Sequence, residues 1–307
     1  NAESLRQAAI EDLGIEVTAD EISAELKERE LPDDKVYRDL IGAMLLEEKV
    51  GAHFDPGVNA TMEQAHAQVM LLESQEVADD VTARIEAGGN FTALAEEFAC
   101  NSSVEHDLGW LPKELMPNTL IANAAFNLTP GDISQPIYDG TVAKNIGYWL
   151  IEVTDAQNET INAQVMLLTS EAKAEQVRAE LAAGGNFSAL AGNYSQHASN
   201  TTGGKLNGLE PGDMDSTVFD QVAFNITLNQ VSEPIRDESV QTTGGYWIVK
   251  VIDRGDRQLD EQLREELKQK RWSDWLEEWK ESSTIENRLD EDKIGWAIDE
   301  VFKRRNA

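Results

Sequence analysis

Ala67–Leu72 reads AQVMLL, and Ala163–Leu168 reads AQVMLL again. Outward from these two hexapeptides the match continues in one order. GGNFTALA at Gly88–Ala95 matches GGNFSALA at Gly184–Ala191. AFNLTPGDISQPI at Ala125–Ile137 matches AFNITLNQVSEPI at Ala223–Ile235, and GYWLIEVTD at Gly147–Asp155 matches GYWIVKVID at Gly245–Asp253. Four blocks in one order are two copies of one small domain, because a period of roughly 97 residues is too long for a solenoid.

Each copy has the same coarse reading. AQVMLL is an apolar run of strand length. Val77, Val81 and Ile85 recur at helical spacing until Gly88-Gly89 stops them. Phe91–Phe98 is a second short helix, and after a glycine-punctuated loop another helix ends near Phe126. Ile133–Tyr138 and Tyr148–Val153 read as strands. The order β-α-α-loop-α-β-β predicts an α+β domain, with helices packed on a small antiparallel sheet.

Both flanks predict helices. Thr18–Glu21 fits a capping box ahead of Ile22 and Leu26. Tyr37, Leu40, Ile41, Met44 and Leu45 form one apolar stripe, and Leu259, Leu263, Leu267, Trp272, Trp275, Leu276 and Trp279 form another. The predicted organisation is a helical segment over 1–60, two repeated domains over 61–157 and 158–254, and C-terminal helices over 255–307 that pack back on the first segment.

Composition narrows the function. The 307 residues carry a formal net charge of -31, which repels phosphate backbones and argues against nucleic acid as a partner. The single cysteine, Cys100, excludes an intrachain disulfide and a cysteine zinc cluster. The four histidines lack metal-ligand spacing, so neither metal nor cofactor is expected. No apolar run is long enough to span a membrane, so membrane contact is expected only through an anchor outside this sequence.

The repeated blocks resemble the rotamase domain of the parvulin family. That pattern opens with a strand A-x-H-I-L-V and continues through G-x-x-F-x-x-L-A and a glycine-rich GG-D-L-G-W segment. It then places a Met and Phe pair before A-F-x-L, and closes with G-x-I-S-x-P-V and G-Y-H-I-I-x-V. HDLGWL at His106–Leu111 is similar to the glycine-rich segment, and Gly203-Gly204 keeps its paired glycines. The stretch Leu13–Glu30 and the terminal Leu/Trp helices resemble the helical segment and tail of extracytoplasmic foldases of the SurA and PrsA kind.

The resemblance implies a peptidyl-prolyl cis-trans isomerase-type foldase acting outside the cytoplasm. Its clients would be unfolded or proline-containing polypeptides. It would work in the periplasm, at the cell surface or as a secreted protein, with or without a membrane tether. Isomerisation needs no covalent nucleophile. An apolar cup that binds the twisted amide better than either planar form suffices. By resemblance the cup residues are Met116, Ile121 and Phe126 in the first copy and Met214, Phe219 and Phe224 in the second. The same residue types at helical spacing also make ordinary core.

The polar half departs from the family. Its two paired histidines fall at Val69 and Trp149 in the first copy and at Val165 and Trp247 in the second. The double replacement predicts an apolar Val/Trp pairing across adjacent strands within each copy. The family's Cys or Asp position falls at Asn101 and His197, and His197 is a candidate hydrogen-bond donor to the substrate. Cys100 lies beside Asn101 and reads as an inert thiol. Met214, Phe219 and His197 are thus the candidate catalytic set, with Trp247 as the side chain that would fill the cleft beside them if it is closed. A binding chaperone without isomerase activity remains open. So does an extracellular structural protein, since nine Asn-x-Ser/Thr sites include the repeated pairs Asn90/Asn186 and Asn127/Asn225. These sites serve either glycosylation or turn and cap chemistry.

Overall fold

A computed structural model describes residues 2–100, 106–157 and 159–282. In chain order the elements are α1 (Ala2–Leu13), α2 (Ala19–Glu28), α3 (Lys35–Phe54), β1 (Thr61–Leu72), α4 (Gln75–Glu86), α5 (Phe91–Phe98), β2 (Asp107–Pro112), α6 (Thr119–Asn127) and β3 (Ile137–Lys144). They continue with β4 (Gly147–Gln157), β5 (Thr160–Leu168), α7 (Glu171–Ala182), α8 (Phe187–Tyr194), β6 (Lys205–Leu209), α9 (Thr217–Ala223), β7 (Ile235–Asp237), β8 (Thr242–Gln258) and α10 (Glu261–Ser282). The fold is α+β with two four-stranded sheets, and the chain divides into two compact units.

One unit is helical and joins the two flanks, residues 1–61 with 258–307. The Thr18 capping box forms as predicted, and Ile22 and Leu26 close on Ile41. Ala9, Leu46 and Val50 make a second small core, against which Phe54, Trp272 and Trp275 pack. The C-terminal Trp stripe therefore serves as packing surface for α3, while Leu40 and Met44 of the α3 stripe stay exposed. Residues 283–307 of the predicted C-terminal domain lie outside the described residues.

The other unit, residues 62–257, holds both copies. Each helix begins where the repeated sequence places a cap: Ser74 and Ser170 cap α4 and α7, and Asn90 and Asn186 cap α5 and α8. The repeated sequons at 90 and 186 therefore hold helix N-termini. Each sheet is antiparallel, in the orders β2-β1-β8-β3 and β6-β5-β4-β7. The strand reading at Ile133–Tyr138 is corrected, since β3 begins only at Ile137 and Ile133 contributes a lone bridge to Lys250.

The sheet orders carry the main surprise. The closing strand of the first copy, β4, sits in the second copy's sheet, and β8 sits in the first copy's. The serine two residues before the repeated proline of each copy records the same exchange. Ser134 accepts from the Val249 N–H at 2.9 Å, and Ser232 from the Ile151 N–H at 3.0 Å. Arg254 of β8 likewise donates to the carbonyls of Phe126 (2.5 Å) and Leu128 (3.1 Å) at the end of α6. The second lobe is thus contiguous, from β4 to β7, and it interrupts the first. The cause lies in the link between β4 and β5. Gln157 pairs with Thr160, so two residues join the strands and they fold back as a hairpin. Closing a short link costs less chain entropy than closing a long one, which favours pairing β5 with its sequence neighbour β4.

Candidate functional site

The closing strands alternate in burial and deliver one face to each core. From β4, Trp149, Ile151 and Val153 join Val165, Leu167, Leu209 and Phe219. Met214 and Phe224 pack on this cluster and remain half-buried. From β8, Trp247, Val249 and Val251 join Val69, Met116 and Ile121, with Phe126 half-buried at the edge.

The predicted pairings are therefore corrected. Val69 meets Trp247 and not Trp149, and Val165 meets Trp149 and not Trp247, because the strands are exchanged. The ring over Phe219 is likewise Trp149, with centroids 5.2 Å apart and planes at 75°. This edge-to-face contact is a favoured aromatic arrangement.

The two cups differ in access. In the first, Val69, Met116, Ile121 and Trp247 are all buried. They form part of one packed core. In the second, Phe219 and Trp149 are 0% and 1% exposed and form a closed floor. Met214, Phe224 and His197 stay half-exposed at its border. At the border of the second cluster, three candidate side chains are therefore reachable from solvent.

His197 is held by Ser199, whose hydroxyl lies 2.8 Å from Nδ1. It caps the short 3-10 helix Ala198–Thr202, and its Nδ1 accepts from the Ser199 N–H at 3.2 Å. A backbone N–H only donates, so Nδ1 is the bare nitrogen and the ring proton sits on Nε2. Burial lowers the imidazole's pKa and keeps the ring neutral. Its centroid lies 5.5 Å from that of Trp149. A neutral imidazole therefore lies beside the Trp149 ring. Asn101, its counterpart, lies outside the described residues. Cys100 donates its thiol to the Leu71 carbonyl at 3.2 Å, and burial pushes that thiol up to about 11, which removes it as a nucleophile.

Sequence reasoning missed two aspartates. Asp237 accepts from Trp149 Nε1 at 2.9 Å, and Asp139 accepts from Trp247 Nε1 at 3.1 Å. Both carboxylates are buried. Burial alone would raise their pKa values. The hydrogen bonds from Ser216, Ser239 and Trp149 to Asp237, and from Thr141, Trp247 and Val142 to Asp139, outweigh it and hold both below the usual carboxylate value. The available signal was an acid at the same place in both copies, IYD and IRD, just after the shared proline.

A family model for the PPIC-type PPIASE (rotamase) domain matches residues 62–155 and again residues 162–253. The chain belongs to this rotamase family. It is 29% identical to Chaperone SurA of Dechloromonas aromatica (strain RCB), over 72% of this chain and 54% of that protein. It is 30% identical to Foldase protein PrsA 3 of Bacillus anthracis, over 50% of this chain and 53% of that protein. The chain thus spans about half the length of the curated relatives it matches. The crystal structure of foldase protein PrsA from Streptococcus pneumoniae str. Canada MDR_19A aligns with 94% of this chain and 84% of that one, at 10% identity and a TM-score of 0.34. The matched rotamase ranges are ranges of sequence. Each folded rotamase lobe takes its closing strand from the other range.

Proposed function

We propose that this rotamase-family chain is a peptidyl-prolyl isomerase-type foldase for exported polypeptides, working outside the cytoplasm, with the second lobe as its site. Among the described residues no helix is long and apolar enough to cross a membrane. The observation that carries the reading is the half-exposed set Met214, Phe224 and His197 around the Phe219–Trp149 floor. A proline ring lies against Met214 and Phe224. The Nε2–H of His197 donates to the ring nitrogen of proline, whose lone pair is free to accept only once the amide twists, and so favours the twisted form over either planar one. The barrier is roughly 18–20 kcal/mol, and a thousandfold acceleration asks for about 4 kcal/mol of differential binding.

A proline-tetrapeptide isomerisation assay on the full chain tests this. Acceleration is expected, with His197→Ala and Met214→Ala each lowering kcat/KM by about tenfold, or 1.4 kcal/mol. A rate equal to the uncatalysed one at high protein concentration would reject the enzymatic reading. A specific observation favours a second reading, a binding chaperone without turnover. Tryptophans, buried and hydrogen-bonded, occupy one histidine position of the family pattern in each copy. Suppressed aggregation of an unfolded client, with no isomerisation, is its expected signature.

A further inference from the structure

One carboxylate ties together the parts of the second cup. Asp237 Oδ2 accepts the Trp149 indole N–H at 2.9 Å and the Ser216 hydroxyl at 2.5 Å. Its Oδ1 accepts the Ser239 N–H at 2.8 Å and the Ser239 hydroxyl at 2.6 Å. Ser216 in turn caps α9, accepting from the Phe219 N–H at 3.1 Å. The buried acid is therefore bonded directly to the closing strand and, through one hydroxyl, to the helix that carries Phe219. The first lobe repeats the bond from tryptophan to a buried aspartate, though not the hydroxyl link to the helix cap. Asp139 Oδ2 holds Trp247 Nε1 at 3.1 Å, and Oδ1 accepts the Thr141 N–H at 2.9 Å and the Thr141 hydroxyl at 2.8 Å. An indole N–H can only donate. Two equivalent tryptophans with two equivalent buried acceptors amount to a built arrangement, made twice.

We propose that Asp237 is a positioning residue of the second cup. It is buried, so it acts through Trp149. It fixes the indole edge-on to Phe219 and beside His197, and so sets the floor on which a proline ring lies. This deepens the isomerase reading of that cup and rests on it. Trp149 belongs to the first repeat, so the second cup is incomplete without a strand from the other copy.

The test uses the full chain. Asp237→Asn turns one acceptor oxygen into an NH2 group. The Trp149 indole and the Ser239 N–H can only donate, so whichever faces the NH2 group loses its acceptor, while the hydroxyls of Ser216 and Ser239 can turn to accept. Three quantities are read: the Trp149 Nε1–H signal, identified by its loss in Trp149→Phe, the Kd for a proline-containing tetrapeptide, and kcat and KM for its isomerisation. The indole proton is expected to exchange with solvent at least tenfold faster, and Kd and KM to rise about tenfold, while kcat changes by less than about twofold. The double variant Trp149→Phe/Asp237→Asn should bind no worse than Trp149→Phe alone, because the acid acts through the indole. Should Asp237→Asn fail to fold, Ser216→Ala and Trp149→Phe carry the same comparison. A released indole with unchanged Kd and KM overturns the positioning role and leaves the isomerase reading intact. A wild type that binds the peptide without turning it over removes the isomerase reading, and Kd alone then decides the role of Asp237. A wild type that does not bind removes both.

Discussion

Single residues carry the departures of this chain from its family. A buried carboxylate is costly unless its oxygens are bonded, and the donors around Asp139 and Asp237 hold both in the ionised form. The sign of the resulting pH dependence follows. Their folded pKa values lie below the unfolded one, so the stability they contribute is fully present above about pH 4 and is lost as pH falls through the folded values. The urea midpoint of the wild type should therefore fall between pH 6 and 3, mostly below about pH 4. The double variant Asp139→Asn/Asp237→Asn should start less stable and lose less across that range. Equal losses would mean these two groups do not share in the acid sensitivity. The Val and Trp replacements were legible in the sequence, since both copies changed alike. Their acceptors were not, because no spacing rule links residue 149 to residue 237.

At the scale of elements, the closing strands are inserted where neither side leaves room for an extra atom. Gly147 opens β4 and Gly245 lies at the equivalent place in β8. A Cβ on Gly147 would meet the Leu167 Cδ1 at 2.6 Å, the end of a flexible side chain. A Cβ on Gly245 would meet the Leu71 Cδ1 at 2.8 Å and the Leu72 backbone oxygen at 2.9 Å. Backbone yields less than a side-chain tip. Gly245→Ala should destabilise by about 1–3 kcal/mol, and Gly147→Ala by less. Chemical denaturation compares them, and the reverse order would show that β8 is seated more loosely than β4. The helices, by contrast, were readable almost to the residue. Their signals are local: serine and asparagine caps, four-residue apolar spacing and a terminal Gly-Gly pair.

The whole rotamase unit is two lobes joined by two crossings, and each lobe depends on the other copy. Lys144 sits at the first crossing, buried and paired in register with Thr242, and donates to the carbonyls of Gly244 and Glu73. Thr242 donates to the Ile146 carbonyl at 2.5 Å. The exchange has a direct check. Glu152 lies opposite Gln164, so the cysteine pair Glu152→Cys/Gln164→Cys should cross-link on mild oxidation. Lys250 aligns with Glu152 in the repeat, so Lys250→Cys/Gln164→Cys should cross-link only if the copies keep their own closing strands. Cross-linking of the second pair and not the first would refute the exchanged topology.

By itself the sequence determined the repeat, the family, the α+β class and the ends of the repeat's first two helices, because each rests on local pattern or on blocks that recur in order. It also held a clue to the exchange, in the two residues between GYWLIEVTDAQ and TINAQVMLL. Which closing strand enters which sheet was decided only in three dimensions. GYWLIEVTD and GYWIVKVID suit the same slot, and loop length chooses between them. The Trp149–Asp237 and Trp247–Asp139 bonds follow from that choice, since each joins residues that the chain brings together from far apart.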